Sequence, residues 1–231
     1  MAKEKVLAFI IILSCIIPPG IGFGNKAIQT KQRIIVIDPG HGGTQNGIVS
    51  SSGINEKTIT LQLAEKIAQQ LENRYNVLLT RTQNITISAR ERIFLANKNK
   101  ADLFISIHLH QTNKYSAFFY YFDPPESYKH PPHIKDNKWK SHPLLHQAES
   151  KKAITSFCSI FSANKNAIRF FSTGAPILLL EGATMPAILI EPLSVLTLPQ
   201  HPDEIENILT EYAALISKSI DLYFKKNNPK P

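Results

Sequence analysis

Three apolar runs in this 231-residue chain each lead to a group that can do chemistry. Residues 34–37 run through Asp-Pro-Gly to His41. Residues 103–107 stop at His108, and residues 187–190 stop at Glu191. A fourth group, Glu56, opens a helical pattern and precedes Thr60, Leu63, Ala64, Ile67 and Leu71 by 4, 7, 8, 11 and 15 positions. That spacing puts its carboxylate on the inward face, where it is costly unless paired, hydrogen-bonded or bound to a cation. Taken alone, Glu56 also fits a helix-start carboxylate that favours the dipole and reaches solvent. Two histidines and a glutamate with an open fourth position make a catalytic zinc set. Such an ion acidifies water and polarises a carbonyl, and a further carboxylate, here Glu191, can move the protons. The gaps of 15 and 52 residues between His41, Glu56 and His108 form no local metal motif.

These groups need elements to bring them together. Residues 34–37, 75–79, 103–107 and 117–122 read as strands, and 56–73 and 89–98 as helices. Strands alternating with helices imply parallel pairing in a layered α/β sheet. In open parallel sheets, sites form beyond the carboxyl ends of the strands, which would put His41, His108 and Glu191 on one edge. Residues 123–146, rich in Pro, Lys and His, lack apolar period and read as a surface insertion. A helix follows to about residue 162, then two apolar runs at 177–180 and 187–190. The last helix spans 203–223, with an apolar stripe through Ile205, Ile208, Leu209, Tyr212, Leu215, Ile216 and Ile220.

Composition bounds the rest. A length of 231 residues suits one α/β domain. The net charge of +8 favours an anionic partner, but there is no dense basic block or nucleic-acid motif, so nucleic acid is not expected. At the N-terminus, Lys3 and Lys5 precede VLAFIIILSCII and a Pro18-Pro19 stop. That run is shorter than the roughly 20 residues of a membrane span and has the form of a secretory signal over residues 1–24, with Gly22 and Gly24 suited to cleavage. A buried N-terminal helix fits the basic flank and Pro-Pro stop less well. Ile-Leu-Ser-Cys at 12–15 is a loose match to a lipoprotein signal. The expectation is export to the periplasm or the cell exterior, a mature domain over 25–231, and no stable membrane span after cleavage. Of two cysteines, Cys15 and Cys158, only Cys158 then remains, so no intrachain disulfide forms.

At these residues the chain resembles the zinc-dependent N-acetylmuramoyl-L-alanine amidases of the Amidase_3 type. IVIDPGHGG is similar to the signature whose histidine binds zinc, pointing to His41. NEKTITLQLAEKIAQQLE is similar to the helix whose opening glutamate is a ligand, pointing to Glu56. VLLTRTQNITISARERIFLANKNKADLFISIH is similar to the stretch ending in the third ligand, His108, and PAILIE to the strand ending in the catalytic glutamate, Glu191. The resemblance implies a three-layer α/β fold with a central, mostly parallel six-stranded sheet flanked by helices, and one zinc ion per chain. It implies hydrolysis of the amide between the lactyl group of N-acetylmuramic acid and L-alanine in peptidoglycan. Peptidoglycan is the expected partner, with an activator protein as a further candidate, and the chain is expected to be a monomer. The chain departs from the family at Ser-Ile-His-Leu-His, where His110 replaces an Asn, and at Pro-Leu-Ser after Glu191. Asn84 stands where an Asp is frequent.

Other candidates weigh less. His110, two residues beyond His108, could approach the metal or the substrate; a solvated loop histidine is the plainer expectation. Trp139 in the insertion is a candidate for stacking on substrate. Tyr120, Tyr121 and Phe119 read as strand core, and Arg81 and Arg92 as structural ion-pair partners. Two other functions fit the same scaffold. A non-catalytic peptidoglycan-binding protein is disfavoured by the four intact groups. A zinc peptidase acting within the stem peptide is separated from the amidase by its products.

Overall fold

The computed structural model describes residues 32–126, 138–164 and 168–227. The expected leader at 1–24 and residues 127–137 of the expected insertion lie outside the described residues.

Period-two alternation sets the sheet and its two cores. β1 (Ile34–Pro39) sends Ile35 and Ile37 to one face and Val36 to the other. β3 (Leu103–Ile107) sends Leu103, Ile105 and Ile107 to the first face and Phe104 to the second. β6 (Ala187–Glu191) divides Ile188 and Ile190 from Ala187 and Leu189 in the same way. Strands apolar on both faces must be covered on both, and helices do so. On the first face lie α1 (Glu56–Leu71), α4 (Gln147–Ser162) and α5 (Pro202–Asn227). On the second lie α2 (Ala89–Lys98) and α3 (Lys138–Leu145), with a 3-10 turn at Leu178–Leu180. The result is the expected three-layer α/β sandwich.

β2 (Asn76–Leu79), β4 (Ser116–Phe122) and β5 (Arg169–Ala175) complete a six-stranded sheet in the order β2-β1-β3-β6-β4-β5. Every adjacent pair is parallel except β4 with β6. The carboxyl ends of β1, β3 and β6 therefore share an edge with the amino ends of β4 and β5.

Two local features depart from the sequence pattern. The apolar run at 177–180 turns in a 3-10 helix, and a strand forms just before it at Arg169–Ala175, a stretch the pattern leaves unassigned. Pro176 has no N–H to give a ladder and ends that strand, after which only Leu180 of the turn is buried while Leu178 is exposed. The end of the expected insertion is ordered as α3, despite Pro143 within it.

Candidate metal centre

The loop after β1 gives the first group its aim. His41 has φ 59, a left-handed conformation uncommon outside glycine. Two buried arginines hold the carbonyls that this geometry turns inward. The Arg92 guanidinium donates to Pro39 O at 2.7 Å and His41 O at 2.7 Å, and Arg81 donates to Pro39 O at 3.0 Å and Gly40 O at 2.8 Å. Asp38, fully buried, anchors Arg92 at 2.6 Å and also accepts from Ser106 Oγ at 2.7 Å and from Thr80 Oγ1. Arg92 makes the expected ion pair, with Asp38, whereas the Arg81 hydrogen bonds go to backbone carbonyls and the Thr60 hydroxyl rather than to an acid; together the two arginines fix the backbone of the histidine loop. Asn84 supports the same loop, its Oδ1 accepting from Gly43 N at 2.8 Å.

Glu56 comes from the first residue of α1 and is 2% exposed. Its Oε2 accepts from Ile48 N at 2.8 Å and its Oε1 from Leu109 N at 2.9 Å. Burial pushes this carboxyl up. The hydrogen bonds from His108, His41, and the Ile48 and Leu109 amides outweigh burial and hold it well below the usual carboxylate range. Glu56 is therefore ionised and pinned, and does not reach solvent as a simple helix-start carboxylate would.

His108 follows β3 directly, with its N–H donating to Ile190 O at 2.8 Å. Its Nδ1 lies 3.0 Å from Glu56 Oε1 and 3.2 Å from His41 Nε2, and His41 Nε2 lies 3.1 Å from Glu56 Oε1. Three ligand atoms thus form a nearly equilateral triangle. Gly40 and Gly47 permit this approach. A Cβ at Gly40 would lie 2.6 Å from the His108 ring, and one at Gly47, where φ is 67, would lie 2.5 Å from Glu56 Oε2.

The triangle fits zinc. Tetrahedral bonds of 2.0–2.1 Å put neighbouring ligand atoms about 3.3 Å apart, close to the separations seen. Two imidazole nitrogens and a carboxylate oxygen pointing at one spot also need a proton or a cation between them, since lone pairs cannot satisfy each other. Among the described residues this is the one group of three or more His, Cys, Asp or Glu whose ligand atoms converge.

Glu191 ends β6, the strand beside β3, and so stands next to His108. Burial raises its pKa; His108 and a hydrogen bond from Tyr120 pull it down, and the Glu56 charge adds to the rise. Tyr120 Oη donates to Glu191 Oε2 at 3.4 Å. Burial and the Glu191 charge push that phenol up to about 12, so it remains a donor at neutral pH. Tyr120 packs against the second core cluster, as expected of a strand residue, and its hydroxyl adds the contact to Glu191. Only the antiparallel pairing of β4 with β6 brings it to Glu191, and nothing in the local sequence signals that partner.

The other two candidates lie elsewhere. His110 is buried rather than solvated, and it does not point at the triangle. Its Nε2 donates to Ser116 O at 2.8 Å, its Nδ1 lies 3.2 Å from Thr112 Oγ1, and its ring meets Phe118 edge-on. Its backbone ties to the loop after Glu191 through Leu193 O and Val195 N, so the two departures from the family pattern support each other. Trp139 packs against Gly182 and the second core cluster, with the Arg90 guanidinium 5.9 Å from its ring centroid.

An α/β sandwich with a His-Glu-His cluster and a carboxylate at one sheet edge has the features of a metal-dependent hydrolase. The chain belongs to the N-acetylmuramoyl-L-alanine amidase family, whose profile matches residues 35–220. It is 39% identical over 86 residues to N-acetylmuramoyl-L-alanine amidase AmiC of Escherichia coli O6:H1, covering 36% of this chain and 21% of that one. It is 46% identical over 78 residues to N-acetylmuramoyl-L-alanine amidase CwlM of Bacillus licheniformis, covering 32% of this chain and 30% of that one. The matched stretch thus spans less than a third of either curated relative. The fold is similar to that of N-acetylmuramoyl-L-alanine amidase AmiC2 of Nostoc punctiforme, with a TM-score of 0.61 at 23% identity, covering 84% of this chain and 97% of that one.

Proposed function

We propose that this protein is a zinc-dependent N-acetylmuramoyl-L-alanine amidase. It hydrolyses the amide between the lactyl group of N-acetylmuramic acid and L-alanine in peptidoglycan. The observation that carries the reading is the convergence of His41, Glu56 and His108, with Glu191 on the adjacent strand. In this reading those three residues hold one zinc ion, which supplies Lewis-acid polarisation of the carbonyl and acidification of water. Glu191 takes a proton from the attacking water and passes it to the alanine nitrogen as the C–N bond breaks. Its raised pKa suits both halves of that transfer. Tyr120 holds one Glu191 oxygen and leaves the other for the proton. Glu56 keeps its charge through the amides of Ile48 and Leu109.

Export belongs to the same reading, with residues 1–24 as a removed leader and 25–231 as one catalytic domain acting as a monomer. The basic leader and its Pro-Pro stop support it. Among the described residues, no helix is long and apolar enough to cross a membrane. The test is digestion of purified sacculi with and without a chelator, followed by zinc re-addition and mass analysis of the products. Intact stem peptides with a free alanine amine, lost on chelation and restored by zinc, are expected. Binding without release would instead mark a peptidoglycan-binding protein, and cleavage within the stem would mark a peptidase.

A further inference from the structure

We propose that Phe118 and Phe171 form a carbohydrate-binding shelf beside Glu191 that takes the uncharged acetamido-sugar chain of the substrate. The proposal rests on the amidase reading.

Strand register places the shelf. Ile107 pairs with Ile190, so His108 stands beside Glu191; Glu191 pairs with Phe118, and Phe118 with Phe171. Directly paired residues share a face of the sheet. One row therefore runs from the metal cluster through Glu191 to the β5 edge. Two strand spacings separate Glu191 from Phe171, about 10 Å, room for sugar rings next to the scissile bond.

The rings along this row are ordered. Phe118 and Phe171 stack at 5.1 Å and 16°, and Phe118 and Tyr120 lie at 6.5 Å and 10°. His110 braces Phe118 edge-on at 4.8 Å and 77°. This contact adds to the two hydrogen bonds of the His110 ring. Phe171, the outermost ring, is 52% exposed, and Tyr115, just before β4, is also exposed. The Tyr115 carbonyl accepts from Arg169 N at 3.1 Å, so Tyr115 sits at the mouth of the same edge.

Exposed aromatics on an edge strand need a reason. Edge strands usually carry charge that blocks pairing with other chains, and an exposed Phe forgoes roughly 1.5–3 kcal/mol of burial. Contiguous exposed apolar surface beside a site marks binding. Charge selects the occupant. The fourteen residues of β4 and β5 include one charged side chain, Arg169, which alternation puts on the Phe171 face, two residues before it. A stem peptide brings ionised carboxylates and amines that would seek counter-charges. Glycan rings bring no charge, and their C–H faces, slightly positive, meet the negative face of an aromatic ring. Alternation puts the Thr173 hydroxyl on the same face as Phe171.

The test uses a soluble tetramer of N-acetylglucosamine, which has no scissile amide, titrated calorimetrically into the zinc-loaded protein. Wild type should bind it. Phe171→Ala should bind at least tenfold more weakly, while Phe171→Trp, which keeps a ring, should stay within about threefold. A free stem peptide should bind all three proteins alike. Absence of tetramer binding by wild type, or equal binding by Phe171→Ala, overturns the shelf, as does a loss confined to the stem peptide. Sacculus digestion by wild type reports separately on the amidase reading, because tetramer binding does not depend on hydrolysis.

Discussion

Replacing Arg92 with Met tests whether the buried network beneath the histidine loop sets the metal site. Arg92 is 4% exposed, and its partner Asp38 is fully buried. Four hydrogen bonds disappear: those to Asp38 Oδ1, Pro39 O, His41 O and Ile87 O. Removing one member of a buried ion pair costs about 3–5 kcal/mol. Asp38 keeps Ser106 and Thr80 as donors, so its charge is not left bare, and the lower end, about 3 kcal/mol, is expected. That is a large share of the roughly 5–15 kcal/mol that stabilises a typical domain, yet the variant should still fold. The second effect falls on the metal. His41 holds φ 59 with its carbonyl bonded to Arg92, and loss of that bond frees the loop to relax. Groups that orient metal ligands typically contribute 10–100-fold in affinity, and a drop of that size is expected for zinc. Urea unfolding of the metal-free protein measures the first effect, and competition with a chromogenic chelator measures the second. Arg92→Lys, with charge but no fork, should fall between. Stability within about 0.5 kcal/mol of wild type, an ordinary surface-substitution effect, with unchanged zinc affinity would refute the argument.

Three further substitutions probe the site. Gly47→Ala places a Cβ against Glu56 Oε2 in a left-handed backbone position, so zinc affinity should fall while circular dichroism shows unchanged helix content. Glu191→Gln should lower turnover about 10²–10⁴-fold with zinc content retained, read by sacculus digestion and elemental analysis. The same variant has a signed pH effect. The folded pKa of Glu191 is raised by burial, so the native state binds the extra proton and wild-type stability falls as pH rises above the unfolded value of about 4.3. Glu191→Gln should therefore gain stability over wild type at neutral pH and lose that gain toward pH 4, as measured by metal-free urea unfolding. His110→Ala should destabilise by about 1–3 kcal/mol through the unpaired Ser116 carbonyl yet bind one zinc per chain, because neither ring nitrogen points at the triangle.

The parts of the site set by local pattern were legible. β1, β3 and β6 are apolar on both faces, so their ends stood out, and Glu56 announced itself as a carboxylate on the apolar face of α1. What stayed hidden depends on pairing between distant segments. Nothing in AFFYYF says that it runs against β6, so neither the Tyr120 hydrogen bond to Glu191 nor the place of Phe118 could be read from it. RFFSTGA gave no strand signal, because an edge strand exposed over most of its length needs no apolar alternation. The apolar run at 177–180 forms a 3-10 turn, in which only Leu180 is buried. Arg81 and Arg92 looked like ordinary ion-pair residues, because their main partners are backbone carbonyls, which no side-chain pattern reveals.

β6 lies between β3 and β4, although it follows both in the chain. Without residues 187–191, no strand pairing joins β2-β1-β3 to β4-β5. A polypeptide cut before residue 187 would thus own every proposed ligand for the ion while lacking both the proposed proton carrier and the strand that joins the halves.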